Sequence, residues 1–299
     1  MNNLAVQTRA LHKDYGKVSA VADLNLEVPS GSVFALLGLN GAGKSTVLKM
    51  LIGLVRPTSG SAFCLGMDIE SREMEIRQKV GYLGAEPRIY GYMTVRQAVK
   101  FCRGFYQIWD DGIVERYLDV FGLPADTKLH QLSQGQKNQL ALILSLAPGP
   151  ALLLLDEPTS GFDPVKRRLF FNAVLQEIVA EGKTVILASH QLEDVERVAD
   201  QVGLMHRGRL VHTCSLDELR EREKEIRVVF QKEPPPELFK HPGIVEVKQE
   251  GMAYRIIVSD GLEEIWQSCA AFPHYALDVI SADLEDIFLR YTGEGLKRD

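Results

Sequence analysis

Gly38-Leu39-Asn40-Gly41-Ala42-Gly43-Lys44-Ser45-Thr46 decides the reading of this chain. The stretch fits G-x-x-x-x-G-K-[ST], a phosphate-binding loop. Glycines let the backbone fold tightly and turn several N–H groups inward on an anion. Lys44 brings a point charge to the β- and γ-phosphates, and the Ser45 hydroxyl is a hard oxygen donor for Mg²⁺. Residues 32–37 read as a short buried strand. Residues 46–52 read as a helix whose positive N-terminal end faces the phosphates. Strand, glycine loop and helix in that order are the context the motif requires. Gly38, Asn40, Gly41, Gly43, Lys44, Ser45 and Thr46 are thereby the candidate nucleotide-binding residues.

Ala151-Leu152-Leu153-Leu154-Leu155-Asp156-Glu157-Pro158 is the strongest strand signal. Its unbroken apolar run suits a central strand of a parallel sheet, covered on both faces. Ligand sites in open α/β sheets lie at the carboxyl ends of strands. Asp156 at that end can hold Mg²⁺ directly or through water, and Glu157 can polarise an attacking water. A second buried strand, residues 184–189, ends at His190, which makes that histidine a candidate γ-phosphate contact. Tyr15, in Lys13-Asp14-Tyr15-Gly16-Lys17, reads locally as a strand-edge aromatic rather than a base-stacking ring.

Residues 4–28 look like a small antiparallel sheet with a turn at Tyr15-Gly16, and residues 57–61 like a turn. Residues 69–78 read as a helix and 79–83 as a strand. From about 85 to 150 the chain reads as mostly helical, inserted within an α/β pattern. Thr94 caps a helix over 95–106, and a second helix covers 113–121. Helices are expected over 166–180 and 192–199, and a hairpin over 201–211. After about residue 215 the character shifts to a small α+β appendix. It has a charged helix over 216–224, strands over 225–232, 244–248 and 253–259, and helices over 262–271 and 283–291. The division is therefore 1–214 and 215–299.

The net charge of −6 argues against sequence-independent nucleic-acid binding, which needs a basic face. The four cysteines, Cys64, Cys102, Cys214 and Cys269, form no C-x-x-C pair and read as free thiols of a reducing compartment. The N-terminus lacks the apolar region of a signal peptide. The most apolar run, residues 140–155, is broken by Ser145 and Pro148-Gly149-Pro150 and is too short to span a bilayer. Membrane association is expected only through a partner.

With these parts placed, residues 4–211 resemble the ATP-binding subunit of an ABC transporter. Leu132-Ser133-Gln134-Gly135-Gln136 resembles that family's signature Leu-Ser-Gly-Gly-Gln, and Ser160-Gly161-Phe162-Asp163-Pro164 its D-loop. The resemblance implies a P-loop ATPase core with an antiparallel β subdomain and an inserted helical subdomain. It gives Tyr15 the adenine-stacking place and His190 the switch-histidine place. It implies ATP and Mg²⁺ as cofactors, with Ser45 and Asp156 at the metal and Glu157, His190 and Lys44 as the catalytic set. It also implies a head-to-tail homodimer, in which Ser133 and Gly135 of one chain complete the ATP site of the other. The partner is an integral membrane permease, which keeps the chain at the cytoplasmic face of the membrane. Two residues depart from the pattern. The family's Mg²⁺-contacting glutamine falls at Ala85, and Glu86 or water is expected to serve instead; Gln134 replaces the signature's first glycine.

Residues 281–289 and Tyr291-Thr292-Gly293 resemble the tail of ABC-2-type exporter ATPases, which makes export the expected direction. A soluble ABC ATPase of ribosomes or DNA is the alternative. One phosphate loop, one signature and no sustained heptads between residues 50 and 132 disfavour it.

Overall fold

The computed structural model describes residues 4–87, 90–218 and 224–281. Its first unit, Met1–Thr213, is built on two sheets. In one, β1 (Leu4–Tyr15), β2 (Val18–Leu24), β3 (Glu27–Pro29), β5 (Ser59–Cys64) and β6 (Met67–Asp68) pair antiparallel. The other contains β4 (Val33–Leu37), β7 (Val80–Leu83), β8 (Leu152–Asp156), β9 (Thr184–Ser189), β10 (Gln201–His206) and β11 (Arg209–Ser215). Its order is β11-β10-β4-β9-β8-β7, and the strands from β10 to β7 run parallel. β4, β8 and β9 are buried along their whole length, as an unbroken apolar run requires.

Pleat alternation turns Phe34 and Leu36, Leu152 and Leu154, and Ile186 and Ala188 to one face. There they join one buried cluster with Val47, Leu48 and Leu51 of α1 (Lys44–Leu51) and with Val21, Leu24 and Val28 of the first sheet. This packing holds the start of α1 against the carboxyl edge of the parallel sheet.

α2 (Glu73–Lys79) precedes β7. Between β7 and β8 the chain is helical: α3 (Val95–Arg103), α4 (Asp111–Phe121) and α5 (Gln134–Leu146). Thr94 caps α3 as expected, by accepting from the Gln97 amide. α3 ends at Arg103 rather than residue 106, because Gly104 follows and glycine is costly inside a helix. After β8 come α6 (Pro164–Leu169), a π-helical stretch Phe170–Leu175, α7 (Gln176–Ala180) and, after β9, α8 (Leu192–Val195). The helix expected over 166–180 is thus interrupted where the adjacent rings of Phe170 and Phe171 are both buried. The helix expected through residue 199 stops at Val195. The expected turn at 57–61 gives way to β5, where Ser59 pairs with His12 and Ser61 with Arg9.

The second unit, Cys214–Asp299, contains β12 (Lys224–Phe230), β13 (Ile244–Glu250), β14 (Ala253–Val258), α9 (Leu262–Ala270) and β15 (His274–Ser281). The antiparallel order is β13-β14-β12-β15. α9 packs Ile265 and Cys269 onto Ile226, Val228, Phe230, Ile256 and Val258. Lys224 opens a strand, where the charge pattern favoured the end of a helix. β15 was not anticipated, because its residues lack a clean apolar alternation. Residues 219–223 and the helix expected over 283–291 lie outside the described residues.

Candidate functional site

The loop from Gly38 joins β4 to α1 and bends where only glycine fits. A Cβ on Gly38 would lie 2.6 Å from the Met205 carbonyl oxygen, and one on Gly43 would lie 2.3 Å from that of Ala20. Gly43 also has φ of 104°, in the left-handed region that favours glycine. The loop is thereby wedged between β2 and β10.

Lys44 is almost fully buried and donates to the carbonyls of Gly38 at 2.6 Å and Leu39 at 3.3 Å. Its Nζ lies 3.8 Å from Glu157 Oε1. Burial lowers its pKa below the usual lysine value, while the charges of Glu157 and Asp156 oppose the shift. Ser45 Oγ donates to Asp156 Oδ1 at 2.9 Å. Burial raises the Asp156 pKa against the Ser45 hydrogen bond, and nearby Glu157 adds to the rise. Among the described residues, Asp156 Oδ2 is buried with no hydrogen-bond partner. A second cation would reverse that balance. A hydroxyl and an orphaned carboxylate oxygen are the hard donors that Mg²⁺ takes, so the residues present fit the ion.

Glu157 follows β8 on a backbone with φ of 50°, rare for a residue with a side chain. Its amide donates to the Ala188 carbonyl at 2.9 Å, which fastens it to β9. His190, just past β9, sits with Nδ1 2.8 Å from Glu157 Oε1. Parallel pairing of β4, β9 and β8 thus brings Lys44, Ser45, Asp156, Glu157 and His190 to one edge. Asn40 joins Glu157 and His190 around a cavity of about 710 Å³ that Glu86, Gln134 and Ser160 also line.

Of the signature residues, Gln134 lines that cavity, while Ser133 and Gly135 make their contacts elsewhere. Ser133 caps α5, accepting from the Gln136 amide at 3.2 Å, while its own amide donates to Gln136 Oε1 at 2.9 Å. Gly135 packs on Gly161 so closely that a Cβ would lie 2.1 Å from the Gly161 carbonyl oxygen. Tyr15 ends β1, half-exposed, with the Lys13 ammonium 5.2 Å from its ring centre. Gly41 has φ of 83°, and Thr46 lies in the first turn of α1.

Three features escaped the sequence reading. Asn138, buried on α5 just before the apolar run, donates to the Ser160 carbonyl at 2.7 Å and ties the signature helix to the loop after β8. A polar residue on a buried helical face was the available signal. Arg167 Nε donates to both carboxylate oxygens of Asp194 at 2.8 Å, joining α6 to α8. Tyr82 buries its hydroxyl beneath the same edge, and burial with the nearby Asp156 charge pushes its pKa up to about 12.

The family model described as ABC transporter matches residues 21–160. The chain is 38% identical over 220 residues to the probable multidrug ABC transporter ATP-binding protein YbhF of Escherichia coli, covering 72% of this chain and 38% of that protein. It is 30% identical to the bacitracin transport ATP-binding protein BcrA of Bacillus licheniformis, covering 97% of this chain and 98% of that protein. A solved ATP-binding subunit of an ABC transporter superposes with a TM-score of 0.65 at 28% identity, over 73% of this chain and 92% of that one. With the phosphate loop, the paired carboxylates and the signature helix arranged on this sheet, the chain belongs to the ABC transporter family, among its ATP-binding proteins.

Proposed function

We propose that this chain hydrolyses Mg-ATP to drive export through a separate integral membrane permease. The observation that carries the reading is the edge where Ser45 meets Asp156 at 2.9 Å and Glu157 meets both Lys44 at 3.8 Å and His190 at 2.8 Å. Glu157 polarises the attacking water, and His190 orients that carboxylate and reaches toward the γ-phosphate. Lys44 exchanges its carbonyl partners for phosphate oxygens. Ser45 and Asp156 would hold Mg²⁺, which when bound would supply positive charge to offset that of the phosphates. The loop amides of Gly38, Asn40, Gly41, Gly43 and Thr46 cradle the phosphates, and half-exposed Tyr15 stacks on the adenine.

Two copies pair head to tail, with Ser133 and Gly135 of each presented to the phosphates of the other. The helix start that Ser133 caps suits an anion. The first unit carries this chemistry and the second is accessory. Export is supported by the tail resemblance at residues 281–293 and by the similarity to BcrA. No helix among the described residues is long and apolar enough to cross a membrane. Attachment at the cytoplasmic face through the permease belongs to the same reading. The exposed rings of Tyr90, Tyr92, Phe101 and Phe105 touch one another and offer an apolar surface for it.

The test is a pull-down from detergent-solubilised membranes with tagged Glu157→Gln chain and Mg-ATP, since slowed hydrolysis holds the closed dimer. Recovery of a multi-span membrane protein is expected. Recovery of ribosomal or nucleic-acid components alone would overturn the reading.

A further inference from the structure

Tyr82 carries a buried hydroxyl that the residues assigned above leave unused. Register pairs Tyr82 with Leu154 and Leu83 with Leu155. Side chains of paired parallel strands alternate in step, so Tyr82, Leu154 and Asp156 stand on one face. It is the face that α1 covers, and Tyr82 packs against that cluster. Tyr82 starts two residues before the level of Asp156, about 6–7 Å along the strand, a span its ring and hydroxyl cover. The ring runs toward the carboxyl edge, because a Cβ on Gly84 would lie 3.0 Å from the Tyr82 hydroxyl. Ser45, Tyr82, Gly84, Ala85, Glu86 and Asp156 line one cavity of about 750 Å³. Among the described residues, neither the Tyr82 hydroxyl nor Asp156 Oδ2 has a hydrogen-bond partner, although both atoms are buried. Two such oxygens against one cavity, which Ile52, Leu54, Val80 and Leu144 also line, are costly unless a ligand satisfies them.

We propose that Tyr82 is a positioning residue for the divalent cation at Ser45 and Asp156, its phenol oxygen hydrogen-bonding to a water of that ion. The inference rests on the metal reading of Ser45 and Asp156. Mg²⁺ binds through few protein oxygens and keeps several waters, which need partners of their own. A neutral phenol both accepts and donates, so it serves a water in either orientation. Ala85 has no side-chain oxygen to offer, and Glu86 is exposed, whereas the Tyr82 hydroxyl is buried and its ring packs against the core. Gly84 leaves the space the hydroxyl occupies.

The experiment measures Mn²⁺ affinity by electron paramagnetic resonance in ATP-loaded Glu157→Gln chain, with chain in excess over nucleotide. Tyr82→Phe should weaken Mn²⁺ about tenfold, and Glu86→Ala should leave it unchanged. ATP affinity and melting temperature in EDTA should not move in Tyr82→Phe, since the ring remains. Asp156→Ala serves as the control. If it weakens Mn²⁺ while Tyr82→Phe does not, the inference is overturned and the metal reading stands. If Asp156→Ala itself changes nothing, the metal reading fails and takes the inference with it. A loss that follows Glu86→Ala instead assigns the role to Glu86. Should Tyr82→Phe fold poorly, 3-fluorotyrosine at position 82 keeps the hydroxyl. Its ¹⁹F resonance must then shift when Mg²⁺ joins the ATP-bound chain, and a silent resonance overturns the inference.

Discussion

Glu157 holds its carboxylate at the sheet edge on a backbone with φ of 50°, a conformation that costs a side-chain-bearing residue about 1–3 kcal/mol. Two hydrogen bonds maintain it: its amide to the Ala188 carbonyl at 2.9 Å, and its carbonyl from the Ser160 amide at 3.1 Å. Glu157→Gln keeps that backbone and the side-chain length but removes the proposed base. It should lower single-turnover hydrolysis by about 10²–10⁴-fold, with ATP affinity unchanged by equilibrium binding. An equal loss of affinity would mean that Glu157 holds nucleotide rather than activating water. Lys44, Ser45 and Asp156 were legible in sequence because their chemistry demands fixed residue types at fixed spacing after a strand. Tyr82 was not, because the face a strand residue occupies depends on the neighbour it pairs with.

At the scale of the element, Ser133 of α5 caps its helix and is proposed to serve the site as well. Ser133 closes a capping box with Gln136, satisfying the first amides of the helix. Ser133→Ala removes the cap and should cost about 1 kcal/mol, read as a lower melting temperature. Ser133→Asp caps equally well but sets a negative charge where a phosphate is proposed to lie. It should therefore keep the melting temperature yet lose ATPase activity. Full activity in Ser133→Asp would reduce Ser133 to a helix cap. Caps of this kind were readable from short spacing, as Thr94 also demonstrates. The length of α8, the π-helical stretch at Phe170–Leu175 and the conversion of residues 59–61 into β5 were not. Each depends on what packs or pairs against the segment.

Across the whole molecule, each unit rests on its own apolar core, and the second adds a buried charge network. Glu225 is fully buried on β12 and receives Arg255 at 2.8 and 2.7 Å and Arg227 at 2.5 Å. Burial raises its pKa, but the hydrogen bonds from Arg255 and Arg227 outweigh it and hold the carboxyl below its ordinary 4.5. A carboxyl lowered in the folded state stabilises fully above its unfolded pKa, and that contribution fades as pH falls through the folded value. Stability should thus be level above pH 4.5 from this group and decline below it. Glu225→Gln should cost about 1–3 kcal/mol at pH 7 and flatten the acid limb. Urea midpoints at pH 7 and pH 4 check both, and parallel acid limbs in the two proteins would refute the assignment.

The amino-acid sequence alone determined the phosphate loop, the buried strands and the order of motifs along the first unit. These follow from local rules: glycine conformations at fixed spacing, apolar runs long enough for a strand, and carboxylates at a strand end. Tertiary structure decided which strands are neighbours, and therefore which side chains meet. The order β10-β4-β9-β8-β7 sets His190 beside Glu157, Ser45 beside Asp156 and Tyr82 on the face beneath them. It also decided that residues 274–281 pair with β12 as an edge strand. No local pattern carries such information, because pairing partners lie tens of residues away and the pleat gives each strand two faces to choose between.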